Sequence, residues 1–353
     1  MKKTTIQSIA ETLGFSRNTV SMALKGNDMV SPKTREIILK YADSIGYPRI
    51  SQEVREEKGD EGAVYRIMIL KKPDVAVYWD KIVNGISEEA SRSHCQTQVA
   101  VVTEDEEREG RLPLGLNDTI QAVFCVKILK PDYIKKIKEK GVQVYMLDTC
   151  LRQYGQGNFY RRMKGEMLGD VIKPEGINTT MELVHHLLDQ GMKRIGFLND
   201  SSSIYETMHD RYSGYVQAMR QAGIVSDPRI VLPDVKSSNF YEDRVFEKVV
   251  ESYPQMPEAV VCGNDMIAKF LTQALRRKGL RVPEDVALTG FDNDEDGILD
   301  PFFTTVYVDA KWLGRRMVQC FLRRMQFPDA PYEKIVVQGE VIIRKSSFRP
   351  GGE

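Results

Sequence analysis

Two spacings of apolar residues divide this chain. Over the first 45 residues Ile, Leu, Val and Ala recur every three or four positions, the period of a helix with one buried face. From residue 65 onward, short continuous apolar runs alternate with amphipathic stretches, the pattern of strands buried on both faces between helices.

In the first region Ile6, Ile9, Ala10 and Leu13 predict a helix that Gly14 stops. Ser16 then caps a second helix whose Val20, Ala23 and Leu24 face inward while Arg17, Asn18, Ser21 and Met22 face outward. Ser31 and Pro32 open a third, with Ile37, Ile38, Tyr41, Ala42 and Ile45 on one face and Gly46 at its end. Three such faces close a small core in a helix-turn-helix. The second helix can enter the major groove of DNA, where Arg17 would fork onto guanine and Asn18 would pair with adenine. Ser16, Thr19, Ser21 and Lys33 would hold phosphates, and Thr5 and Tyr47 complete the expected DNA contacts. Any amphipathic three-helix bundle exposes some Arg and Asn, so spacing alone leaves both readings open.

Charge sharpens the DNA reading. Residues 1 to 50 carry eight Lys and Arg against four Asp and Glu, or +4, while the whole chain sums to zero, so the remainder is −4. A small basic module on an acidic body suits nucleic acid at the N-terminal end.

In the second region "YRIMIL", "TQVAVV", "AVFCV", "VQVYML", "RIGFL", "RIVLP", "AVVCG" and "VALTGF" read as strands. A helix around 79 to 93, "PDYIKKIKEKG", "TTMELVHHLLDQG", "RYSGYVQAMRQAG", "EDRVFEKVVESYP" and "DMIAKFLTQALRRKG" read as the helices between them. The alternation predicts two parallel α/β units, whose ligands would sit at the carboxyl ends of the strands.

Composition excludes several classes. A length of 353 residues with 42% apolar residues makes a globular chain of two or three domains. The five cysteines lie far apart without a CxxC pair, which fits a reducing compartment. Gln7, Ser8 and Glu11 interrupt any signal-like apolar run, so neither secretion nor membrane insertion is expected and the cytoplasm is. There is no GxSxG, GxxxxGK or HExxH, and the adjacent His185 and His186 would diverge by about 100° on a helix, so no enzyme and no cofactor is expected. A stand-alone sugar-binding protein would have no use for residues 1 to 48.

The stretch "GFDNDEDGILDPFF" places Asp292, Asp294 and Asp296 before Gly297 like the start of a calcium loop. Its twelfth position is Phe303 instead of Glu, and a strand instead of a helix precedes it, so no metal site is expected.

"TIQSIAETLGFSRNTVSMALKGNDMVSPKTREIILKYADSIGYP" resembles the DNA-binding headpiece of the lactose/galactose repressor (LacI) family. "LLDQGMKRIGFL", "AVVCGNDMIAKFLTQALRRKGLRVPEDVALTGFDNDE" and "PFFTTVYVDAKWLGRRM" resemble the family's periplasmic-binding-protein-like core. The resemblance implies an all-α headpiece at 1–48, a linker at 49–64 and a core at 65–353 of two parallel-sheet subdomains. The first would span about 65–174 plus 305–332, and the second about 175–304 plus 333–353. It implies base reading from Arg17, Asn18 and Met22, where Met22 replaces a frequent arginine. The family's hinge helix wedges leucines into the minor groove, but "RISQEVREEKGDEG" is acidic and has no leucine, so a solvated linker is expected there, with insertion through Ile50 and Val54 the alternative. For the core it implies Arg211, Asp265 and Asp292 as polar effector contacts, with Tyr78 or Trp79 stacking on the apolar side. Arg211 could instead pair with Asp210 or Asp292, Asp265 could cap its helix, and Trp79 could be core. The implied protein is a homodimeric repressor on a pseudopalindromic operator, controlled by a sugar or, alternatively, a nucleobase or nucleoside.

Overall fold

The computed structural model describes residues 6–24, 30–44, 64–73, 77–127, 130–149, 152–153, 160–161, 167–199, 205–235, 243–294 and 301–348. The described residues form two compact units, one of residues up to 65 with 319–331, the other of residues 66–318 with those after 331.

The first unit holds α1 (Ile6–Leu13), α2 (Arg17–Leu24) and α3 (Pro32–Ser44). Ile9, Ala10, Val20, Ala23, Leu24, Val30, Ile38, Leu39 and Ala42 make its core. Ser16 starts α2 by accepting the Thr19 N–H at 3.0 Å, and Ser31 starts α3 by accepting the Thr34 N–H at 3.2 Å. The inward face of α3 differs from expectation by one position. Leu39 is buried, whereas Ile37 is 44% exposed, because the core looks onto the 38/39/42 stripe. Ile45 and Gly46 lie outside the described residues.

The second unit contains two sheets. The first has the order β13-β7-β4-β3-β1-β2, from β1 (Tyr65–Lys71), β2 (Cys95–Val101), β3 (Ala122–Cys125), β4 (Gln143–Leu147), β7 (Asp170–Pro174) and β13 (Lys334–Val337). A two-residue pair, β5 (Arg152–Gln153) with β6 (Tyr160–Arg161), stands between β4 and β7 in the chain. The second sheet has the order β11-β10-β8-β9, from β8 (Ile195–Leu198), β9 (Val231–Leu232), β10 (Ala259–Cys262) and β11 (Ala287–Thr289), with its neighbours parallel. β12 (Thr305–Tyr307) pairs antiparallel with β14 (Glu340–Ile342). The helices are α4 (Val77–Arg92), α5 (Glu104–Glu109), α6 (Pro131–Lys138), α7 (Ile177–Asp189), α8 (Glu206–Gln221), α9 (Asp243–Ser252), α10 (Asp265–Arg277) and α11 (Ala310–Gln326).

The subdomain boundary needs one correction. β13 lies parallel to β7 on the edge of the first sheet, so residues 334–337 belong there and not with the second subdomain. Ile335 and Val336 are apolar in a register that matches Ile172 and Lys173. β7 itself escaped the sequence reading. "DVIKP" ends in Lys-Pro, yet all five residues are buried, because Lys173 reaches carboxylates at the strand end.

Candidate functional site

In the first unit, Ser16, Arg17, Asn18 and Lys33 are exposed, and Thr19 and Ser21 are half-buried. The Ser16 and Thr19 hydroxyls bond each other at 2.8 Å, so both sit at the start of α2 beside Arg17 and Asn18. Met22 is half-buried and packs partly on the core, which leaves only part of its side chain for an outward role. Thr5, Tyr47 and residues 49–63 lie outside the described residues, so the hinge expectation does too.

In the second unit, strand ends of both sheets deliver polar side chains to one place. Arg211, on α8, is 3% exposed and donates from Nη2 to Asp292 Oδ1 at 3.1 Å. Its Nη1 donates to the Gly263 carbonyl, and its guanidinium carbon lies 3.6 Å from the Phe291 ring centroid. Its Nε is buried and has no hydrogen-bond partner among the described residues. Of the two partners weighed for Arg211, Asp292 takes it, while Asp210 pairs with Lys173.

Asp292 sits on a turn in which both it, at φ 95°, and Asn293, at φ 53°, occupy the left-handed region. Its N–H donates to the Val306 carbonyl at 2.9 Å. Burial raises its carboxyl to about 6, opposed by Arg211 and reinforced by Asp294. One Asp292 oxygen is thus committed to a guanidinium, while Asp296 and Gly297 lie outside the described residues.

Tyr78, 8% exposed, lies in the wall of a cavity of about 270 Å³ that Lys81, Asp292, Asp294, Tyr307 and Arg315 also line. Burial raises its phenol strongly, and the nearby Asp292 adds to that. Trp79 meets Tyr78 edge to face at 5.2 Å, and Lys127 Nζ stands 5.7 Å from its ring centroid. Tyr78 therefore faces the cavity, and Trp79 backs it.

Asp265 behaves differently from the expected effector contact. It is 0% exposed, its Oδ1 accepts from Thr305 Oγ1 at 2.8 Å, and its Oδ2 accepts the Asp294 N–H at 2.8 Å. The cap of α10 is Asn264, whose Oδ1 accepts the Ile267 N–H at 2.8 Å, and not Asp265.

Sequence reasoning passed over Asp148. It follows β4 as Asp292 follows β11, an acidic residue behind an apolar strand, and that position was the available signal. Its carboxylate accepts the Thr149 N–H at 2.7 Å and both the N–H and the hydroxyl of Thr207. Burial raises it to about 6 against those bonds. Beside it Glu206 accepts from Thr149, Lys173 and Lys334. Although burial alone would raise Glu206, Lys334 and the other donors hold it down at about 2.

No helix among the described residues is long and apolar enough to cross a membrane. The sequence profile of the periplasmic binding protein-like domain matches residues 184–347. The chain is 26% identical over 349 residues to the HTH-type transcriptional repressor CytR of Escherichia coli K12, spanning 97% of this chain and 96% of that one. It is 24% identical to the HTH-type transcriptional repressor PurR of Pasteurella multocida, spanning 97% and 98%. Among solved structures, a transcriptional regulator CelR–cellobiose complex superposes with a TM-score of 0.65 at 20% identity, covering 98% of this chain and all 100% of the other. The lac repressor dimer bound to operator and an anti-inducer superposes with a TM-score of 0.63 at 20% identity, covering 98% and 99%. With its helical headpiece and a core that matches the periplasmic binding protein-like domain, the chain is similar along nearly its whole length to these transcriptional repressors.

Proposed function

We propose that this chain is a repressor that binds a pseudopalindromic operator as a homodimer and is controlled by a small sugar or sugar derivative in the cleft of its core. The observation that carries the reading is the buried Arg211–Asp292 pair, whose Nε has no acceptor among the described residues, beside a cavity walled by Tyr78. A hydroxyl-rich ligand supplies acceptors to such a guanidinium and donors to such a carboxylate, and an aromatic wall takes its apolar face. The exposed Arg17 and Asn18 at the start of α2 supply base readout, with Ser16, Thr19 and Lys33 on phosphates. The relatives support the class: CytR and PurR are repressors, CelR was solved with cellobiose, and a LacI family regulator from Enterococcus faecium was solved with ribose. DNA as the partner implies a cytoplasmic protein that regulates and does not catalyse.

A nucleobase or nucleoside is the second reading, favoured by the Tyr78 ring in the cavity wall, on which a planar base would stack. A thermal-shift screen of sugars, nucleosides and nucleobases separates the two. A compound at about 100 times its dissociation constant adds roughly 2.7 kcal/mol to stability. A shift by one class, lost in Arg211→Ala, identifies the effector chemistry. If no compound of any of these classes shifts the melting temperature, the effector reading falls.

A further inference from the structure

Asp265 is the most enclosed carboxylate of the site, and its contacts point away from the cavity. Both oxygens are engaged from the loop and the strand that frame Asp292: Oδ2 by the Asp294 N–H and Oδ1 by Thr305 at the start of β12. Its own N–H donates to the Phe291 carbonyl at 2.9 Å. Thr305 Oγ1 in turn accepts the Asn293 N–H at 3.3 Å. A Cβ at position 290 would lie 1.9 Å from Asp265 Oδ1, so Gly290 is what lets the carboxylate reach under the turn.

Asp292 and Asn293 are consecutive non-glycine residues at positive φ, each costing about 1–3 kcal/mol and stable only where the surroundings over-determine them. Those surroundings are visible here. Asp265 accepts the Asp294 N–H and Thr305 the Asn293 N–H, the Val306 carbonyl accepts that of Asp292, and Arg344 holds the Asn293 side-chain oxygen at 2.8 Å. The result is an Asp292 carboxylate aimed at Arg211 and at the cavity.

We infer that Asp265 is a positioning residue: together with Thr305 it pins the strained 292–293 turn so that Asp292 meets Arg211 in the cleft, and it does not touch the effector. The inference rests on the reading of the Arg211–Asp292 cleft as an effector site, but its test needs no effector. The probe is the Asp292 carboxyl itself, followed by carbon-13 NMR titration of aspartate-labelled full-length protein and assigned with Asp292→Asn.

Burial is expected to hold this carboxyl at about 6 in the wild type. Thr305→Val deletes the hydroxyl without changing charge. It releases the turn, exposes Asp292 and lowers its midpoint by at least about one pH unit toward the ordinary carboxylate value. Thr305→Ser restores the donor and the wild-type midpoint. Asp265→Asn, which cannot accept both bonds, behaves like the valine variant; if it fails to fold, the two Thr305 variants decide. A wild-type midpoint in Thr305→Val, with only the melting temperature reduced, overturns the inference, as does an ordinary midpoint in the wild type. Melting shifts with D-ribose, cellobiose and cytidine on the same proteins keep the two claims apart. If none shifts the wild type but the Asp292 midpoint still responds to Thr305, the effector reading weakens and the positioning role stands.

Discussion

Asp148 and Thr207 join the end of a strand of the first sheet to helix α8: the carboxylate behind β4 accepts the Thr207 N–H at 3.2 Å and the Thr207 hydroxyl as well. Both residues are buried, so the hydroxyl cannot be replaced by solvent. Thr207→Val is expected to lower unfolding stability by about 1–3 kcal/mol, the cost of leaving a buried acceptor short of a donor. Thr207→Ser should stay within about 0.5 kcal/mol of wild type. Urea denaturation of the three proteins checks this.

The raised carboxyls make stability depend on pH in a definite direction. Asp148 and Asp292 both rise from 3.8 to about 6 on folding, so the native state binds protons that the unfolded chain has released. Their contribution is fully present below pH 3.8 and is lost as pH rises through about 6. Glu206 has the opposite sign: held at about 2 from 4.5, its contribution is present above pH 4.5 and is lost as pH falls through about 2. Between pH 4.5 and 6, acidification should therefore slow the loss of stability or reverse it, and Asp148→Asn with Asp292→Asn should flatten that segment. Melting curves across this range decide it.

Helices α4 and α11 cross at two glycines. A Cβ on Gly85 would lie 2.1 Å from the Lys311 carbonyl oxygen, and one on Gly314 would lie 2.2 Å from the Ile82 carbonyl oxygen. Those neighbours are backbone and cannot swing aside. Gly85→Ala and Gly314→Ala are each expected to cost about 1–3 kcal/mol despite the higher helix propensity of alanine, measured as a fall in melting temperature.

On DNA, Arg17→Ala and Asn18→Ala should each cost about 1–3 kcal/mol at the cognate operator and change non-specific binding little. Equal losses on both DNAs in a titration would show that these residues act on the backbone only. Lys33→Ala should weaken both and reduce the salt slope by about one.

Arg211→Ala should leave operator binding in the absence of effector unchanged and weaken the effector response at least about tenfold, the equivalent of losing a charged hydrogen bond of roughly 1.5–3 kcal/mol. Calorimetry with whichever compound the thermal screen identifies gives the number. An unchanged affinity would remove Arg211 from the site.

Local patterns were legible in the chain where one element explains itself. Val20, Ala23 and Leu24 show their burial in their spacing, and Ser16 shows its cap by standing before the helix. The Arg211–Asp292 pair was one of two partnerships open from the sequence, 81 residues apart. What stayed hidden depends on partners far along the chain. Asp265 read as an effector contact that could also cap α10, yet one of its oxygens is taken by Thr305, 40 residues away. β7 did not read as a strand because its Lys173 is neutralised by Asp210 and Glu206, on a helix that begins 32 residues after the strand ends. Ile37 and Leu39 exchanged places because a short helix offers two adjacent apolar stripes, and only packing chooses between them.

Lys173 and Lys334, both on the first sheet, hold the opening turn of α8 through Glu206 and Asp210, and the next residue of that helix is Arg211, turned to Asp292 behind the second sheet. One rigid rod thus has its tip moored to one body and its working side chain docked on the other. Sliding of the two bodies past each other strains the mooring, the guanidinium contact or both. A molecule seated on Arg211 consequently feels the spacing of the bodies as a change in its own affinity, and by reciprocity it shifts that spacing by an equal free energy.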